Sequence, residues 1–177
     1  MILFTYSVAL GIDKRNLSSE GGLQSLGSIM PQSLSQVTVH IIFSTKHRDN
    51  FLNDNIRPKT HAYIATILRD MKSFVYLVGG TNNHIHIACT LPRTFSQSDF
   101  LNKIKNTSSK WLKIEGINDF FWQSGYGIFS VSQSNIEVLR KYIDNQMEHH
   151  KTKTFKEEYR EFLEKHQIKY DEKYIWD

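Results

Sequence analysis

Two histidines stand either side of one isoleucine at His84-Ile85-His86, in a stretch with the alternation of a β-strand. Side chains of a strand alternate between its faces, so both imidazoles project from the same one, about 7 Å apart, a span that one ion can bridge with nitrogen ligands. Further along, Tyr142 and Gln146 are four residues apart in a helical pattern and share one stripe of that helix, a phenol beside a carboxamide. Pattern alone favours plainer readings: two surface histidines, and a tyrosine at a core edge beside a solvated glutamine.

The elements that must position these residues follow from periodicity. Val37, Val39, Ile41 and Phe43 alternate with Thr38, His40, Ile42 and Ser44, which predicts a first strand. A helix is expected over 57–70, where Tyr63, Ile64, Ile67 and Leu68 recur at helical spacing behind Pro58. Residues 74–78 read as a strand, Gly79 to Asn83 as a turn and 84–91 as a third strand, together a hairpin. Ser96 can cap a helix reaching about Leu112, with Gly116 and Asn118 ending it. A fourth strand over 120–131 is interrupted by Gly125 and Gly127. Ser134 or Asn135 can cap a helix whose apolar face is Ile136, Leu139, Ile143 and Met147, and a charged helix is expected over 155–166.

This order predicts an α+β, ferredoxin-like (RRM-like) split β-α-β fold: an antiparallel sheet with helices on one face, the other face open, and an extra C-terminal helix. Ile85, Ile87, Cys89 and Leu91 would pack beneath the helices, leaving His84, His86 and, from the first strand, His40 on the open face. With 177 residues the chain can bury one good core. The Gly- and Ser-rich composition of 1–29 reads as a flexible N-terminal extension, and 30–177 as a single domain. A net charge of +4 fits a polyanionic partner without demanding one. The single cysteine, Cys89, excludes an internal disulfide and suits a reducing compartment. No apolar stretch approaches the roughly 20 residues of a membrane span, so a cytoplasmic protein is expected.

Several segments resemble a known family. Residues 80–87, ending His84-Ile85-His86-Ile87, resemble the His-hydrophobic-His signature of HUH nucleases, and 141–150, with Tyr142 and Gln146, resemble the nucleophile helix of insertion-sequence-200-like transposases. Segments 30–35, 40–46, 108–112 and 122–131 are similar to the same family, in its order. The tail, 155–160 and 165–177, is similar to that of the stand-alone branch, the REP-associated tyrosine transposases.

That resemblance implies a metal-dependent single-stranded DNA endonuclease and strand transferase. Mg²⁺ or Mn²⁺ would be held by His84, His86 and Gln146, and Tyr142 would attack the phosphodiester to give a 5′-phosphotyrosine. His149 and His150, near the helix end, compete with Gln146 as the third ligand but suit solvent or DNA phosphate better, and His40 is left outside the metal set. The partner implied is single-stranded DNA folded into hairpins, as palindromic repeats form. Lys103, Lys105 and Lys110, with Trp122 and Tyr126 as stacking aromatics, make the expected DNA path. Insertion-sequence relatives swap the tyrosine helix between the subunits of a dimer, whereas the stand-alone branch can act as a monomer; of the two, a homodimer is the assembly expected here. Two other readings compete: an RRM-like single-strand binding module, and a hydrolytic nuclease with water as nucleophile.

Overall fold

All seven residues of the first strand, β1 (Thr38–Ser44), are buried, so both faces of the sheet are covered at its centre. The computed structural model describes residues 34–176; the extension expected over 1–29 and the domain start at 30–33 lie outside the described residues. In chain order the remaining elements are α1 (Arg57–Asp70), β2 (Val75–Gly80), β3 (His84–Thr90), α2 (Gln97–Ile114), β4 (Gly127–Ser130), α3 (Ile136–Asp144), α4 (Gln146–His149) and α5 (Phe155–Lys165). The sheet order is β2-β3-β1-β4 and every pairing is antiparallel, which is the ferredoxin-like arrangement expected from the element order.

Alternation along the strands sorts side chains between two cores. Val39, Ile41 and Phe43 of β1 and Ile85, Ile87 and Cys89 of β3 face one way, against Ile64, Ile67 and Leu68 of α1 and Phe100, Leu101, Ile104 and Leu112 of α2. The ends of α2 are set locally: Ser96 accepts a hydrogen bond from the Asp99 amide, and Gly116, at φ 98°, supplies the left-handed turn beyond its last residues. Burial in this layer pushes the Cys89 thiol up to about 12, so it is held as a neutral, unreactive thiol.

The second face differs from the open surface expected. Ile42 and Phe129 pack there beneath Phe155, Tyr159 and Leu163 of α5. Those residues recur at helical spacing along an otherwise charged helix, so α5 buries one stripe and leaves its charges in water. A capping box starts it: Thr154 accepts from the Glu157 amide while the Glu157 carboxylate accepts from the Thr154 amide.

Two further elements depart from expectation. The strand expected over 120–131 is reduced to Gly127–Ser130, because Phe120 and Trp122 turn into the first core and leave one isolated bridge, Thr45 to Trp122. Trp122 lies edge-on to Phe43 and Phe120 at 4.8 and 4.7 Å, and its indole donates to Ser108 Oγ at 2.9 Å. The helix expected through Met147 breaks at Asn145, and the short α4 that follows turns Gln146 inward while Met147 is 45% exposed.

α3 is seated on β2 by a close approach. A Cβ built on Gly79 would stand 2.5 Å from Ile143 Cγ2 and 3.0 Å from the Ile143 carbonyl. Gly79→Ala should therefore lift the helix that carries Tyr142 and cost about 1 to 3 kcal/mol of stability, the usual range for overpacking, measured by urea unfolding. An unchanged unfolding midpoint would show that α3 does not rest on this contact.

Candidate active site

His84 and His86 of β3 lie on the face covered by α5, with His40 of β1 beside them, and none of the three is more than 2% exposed. Their protonation follows from the surrounding hydrogen bonds. His84 Nδ1 stands 2.8 Å from Asn83 Oδ1, and that oxygen's position is fixed because the other end of the same amide donates to Asn50. His84 must therefore carry its proton on Nδ1, leaving Nε2 as a bare lone pair. His150 is held in the same way: Nδ1 donates to the Lys153 carbonyl at 2.8 Å, which turns Nε2 toward the cluster. His86 Nδ1 pairs with His40 Nε2 at 2.9 Å.

Three elements bring acceptors to these rings. Tyr142 on α3, Gln146 on α4 and Glu158 on α5 meet over the histidines. The Tyr142 hydroxyl and the Gln146 amide, the latter at 3.0 Å, both donate to Glu158 Oε1. Glu158 Oε2 receives no hydrogen bond, although His86 Nε2 and His150 Nε2 approach it to 3.5 and 3.4 Å. Gln146 Oε1 faces the bare Nε2 of His84 at 3.2 Å, acceptor against acceptor. His149 Nε2 lies 3.5 Å from Glu158 Oε1 and is likewise without a hydrogen bond.

Buried acceptors pointed at one another without a donor are costly unless a cation lies among them. One ligand atom each from His84, His86, His150 and Glu158 falls within 4.8 Å of the others. Opposite ligands of an octahedral ion with bonds of about 2.1 Å are about 4.2 Å apart, so sub-ångström adjustment closes this set on a small divalent ion. Imidazole nitrogen and carboxylate oxygen together suit Mn²⁺, and carboxylate and amide oxygens suit Mg²⁺.

The electrostatics agree. Burial, with His86 next to each, holds His40 and His84 well below their ordinary pKa of 6.5, so both are neutral, which His84 must be to serve as a ligand. Burial works to raise the Glu158 carboxyl, but His150, His86 and Tyr142 outweigh it and keep Glu158 well below the usual carboxylate range. Burial, and then the adjoining charge of Glu158, pushes the Tyr142 hydroxyl well above its ordinary 10.0.

Of the residues singled out in the sequence, the structure gathers His84, His86, Tyr142 and Gln146 into one cluster and adds His40, His150 and Glu158. Glu158 had no place in the sequence reading. Its signal was a carboxylate within the apolar stripe of Phe155, Tyr159 and Leu163, where a solvated charge does not belong. The expected DNA-path residues are scattered. Lys103 and Lys110 are exposed on α2, in the layer on the far side of the sheet from the cluster, and Tyr126 is half-buried against the first core. Two of them are withdrawn from the surface. Trp122 is a core residue, and the Lys105 ammonium is tied at 3.1 and 2.9 Å to the Ser124 and Gly125 carbonyls, its pKa lowered by burial to about 8.

Residues 33–146 match the profile of a family described as IS200-like transposase, more than half of the chain. Among solved structures, a candidate transposase from Deinococcus radiodurans R1 aligns with a TM-score of 0.54 at 17% identity, covering 66% of this chain and 98% of that one. A REP-associated tyrosine transposase bound to a REP hairpin aligns with a TM-score of 0.49 at 15% identity, covering 72% of this chain and 74% of that one. The Deinococcus structure supports the fold. No curated protein matches the chain.

The neutral histidines set a pH dependence. An unfolded histidine takes up a proton below about 6.5, whereas buried His40 and His84 resist protonation, so the unfolded chain gains protons first and stability falls with pH below that point. Glu158 contributes in the same direction only below its unfolded pKa of 4.5. The urea midpoint of metal-free protein should be level above about pH 7 and drop below 6.5, with a slope of at most about 1.4 kcal/mol per pH unit for each histidine. A midpoint level from pH 7.5 to 5 would mean that the two rings titrate normally.

Proposed function

The chain belongs to the IS200-like transposases, and from that premise we propose that it cleaves and rejoins single-stranded DNA with Tyr142 as nucleophile and a divalent cation, Mg²⁺ or Mn²⁺, held at His84, His86 and Gln146. The observation that carries this reading is that the Tyr142 hydroxyl donates to Glu158, a buried carboxylate whose oxygen converges with nitrogens of His84, His86 and His150.

In the forward step Tyr142 Oη attacks the phosphorus in line. The bond from phosphorus to the 3′ oxygen breaks, and the products are a 5′-phosphotyrosine and a strand ending in a free 3′-OH. That hydroxyl can later attack the phosphotyrosine and reverse the exchange, so no nucleotide hydrolysis is required. A divalent ion bound here would draw in a non-bridging phosphate oxygen and offset the charge that builds on it. Glu158 Oε1 already accepts the Tyr142 hydrogen bond, so a carboxylate stands where the phenolic proton must go. His40 orients the ring of His86 through its Nδ1, and Thr81 and Asn83 orient His84.

Because Tyr142 reaches His86, and Gln146 reaches His84, within one chain, one subunit supplies the whole cluster, and the homodimer expected from the family is not required to complete it. Hairpin DNA is the substrate proposed from the motif resemblance. Lys103, Lys110 and Tyr126 are retained as its outlying contacts, and Lys105 and Trp122 as the supports of the segment between α2 and β4. Among the described residues no helix is long and apolar enough to cross a membrane, and we place the activity in the cytoplasm. An RRM-like platform is disfavoured because α5 covers the sheet face on which bases would stack.

Incubation with Mn²⁺ and 3′-labelled hairpin single strands should give a protein–DNA adduct on denaturing gels. Tyr142→Phe should reduce it at least about a thousandfold, and His86→Ala should remove its metal dependence. Cleavage without any adduct would instead establish water as the nucleophile.

A further inference from the structure

We infer that Glu158, with His150 beside it, is a direct ligand of the metal centre, so that α5 is part of that centre rather than a cover over it; this rests on the metal-dependent reading above. Three observations lead here. Of the atoms turned toward the histidine nitrogens, Glu158 Oε2 is the one full anionic acceptor, and it lacks any hydrogen bond although the residue is only 2% exposed. Its other oxygen is occupied by the Tyr142 hydroxyl and the Gln146 amide, which hold the carboxylate in a fixed rotamer with Oε2 aimed at His86 and His150. The four side chains whose ligand atoms converge within 4.8 Å are His84, His86, His150 and Glu158.

The assignment puts Glu158 in the ligand place given above to Gln146 and makes Gln146 a positioning residue. Its amide donates to Glu158 while its carbonyl oxygen faces His84, so it spans from the carboxylate to the first histidine and positions both. A hard divalent ion takes a carboxylate oxygen in preference to a neutral amide oxygen, and three imidazoles with one carboxylate leave positions for a phosphate oxygen and water. His150 is prepared in the usual manner of a ligand, its far nitrogen donating to a backbone carbonyl. Both residues lie beyond the segment 33–146 that matches the family profile, so this part of the centre is contributed by the C-terminal region of the chain.

Mn²⁺ binding to the full chain, followed by calorimetry and by the visible spectrum of the Co²⁺ form, tests this without reference to activity. Glu158→Gln should raise the Kd at least about tenfold and change the Co²⁺ spectrum, while Gln146→Ala should do less. His86→Ala is the control for the underlying reading. If it abolishes binding while Glu158→Gln stays within about twofold of the native chain, the ligand assignment falls and the metal reading stands. If His86→Ala binds as the native chain does, both fall. Hydrogen exchange of the native chain is independent of any variant's folding: Mn²⁺ should slow exchange in Phe155–Lys165 as well as in β3. Protection confined to β3 would overturn the inference.

Discussion

A carboxylate withdrawn from water among buried imidazoles is the constraint on which the second half of this protein is built. Moving an isolated charge into such a place costs several kcal/mol unless donors or a cation compensate it. Glu158 has two donors on one oxygen and none on the other. Of the surrounding histidines, His40 and His84 are kept neutral by the same burial. The group is therefore half satisfied by hydrogen bonds, and its second oxygen faces His86 and His150.

Everything that fixes that point is ordinary packing. The odd residues of β1 and β3 are anchored under α1 and α2, which locks the even residues, and with them His40, His84 and His86, onto the other face. Gly79 lets α3 approach β2 closely enough to bring Tyr142 over that face. The break at Asn145 then rotates Gln146 inward, where an unbroken helix would have placed Met147. The apolar stripe of α5 closes the layer and carries Glu158 in with it. The aromatic and aliphatic contacts hold the polar ones in place, since few of the polar contacts would be favourable in isolation.

Local signals made much of this legible in the sequence. Pro58 and the spacing of Ile64, Ile67 and Leu68 mark α1, Ser96 marks the start of α2, and the alternation around His84 and His86 assigns both to one face. Features that depend on distant partners were not legible. Phe120 and Trp122 look like strand residues but are drawn into a core made by α2 and β1. The turn at Asn145 carries neither proline nor glycine. The second sheet face looked open because its cover lies more than a hundred residues beyond β1 in the chain, on a helix rich in charge. Glu158 is one of several glutamates in that helix, and what separates it from Glu157 or Glu161 is its place on the buried stripe.

The two cores are also completed at different points along the chain. The layer formed by α1, α2 and their strands draws on residues up to Ile128, whereas the tyrosine cluster needs side chains from His40 through to Glu158. During synthesis, which runs from the N-terminus, the first layer can be packed before the last helix exists. The hydroxyl of Tyr142 emerges ahead of the carboxylate that orients it, so the reactive centre cannot be complete until the final segment has been made. The first layer and the reactive centre can therefore be completed at different times.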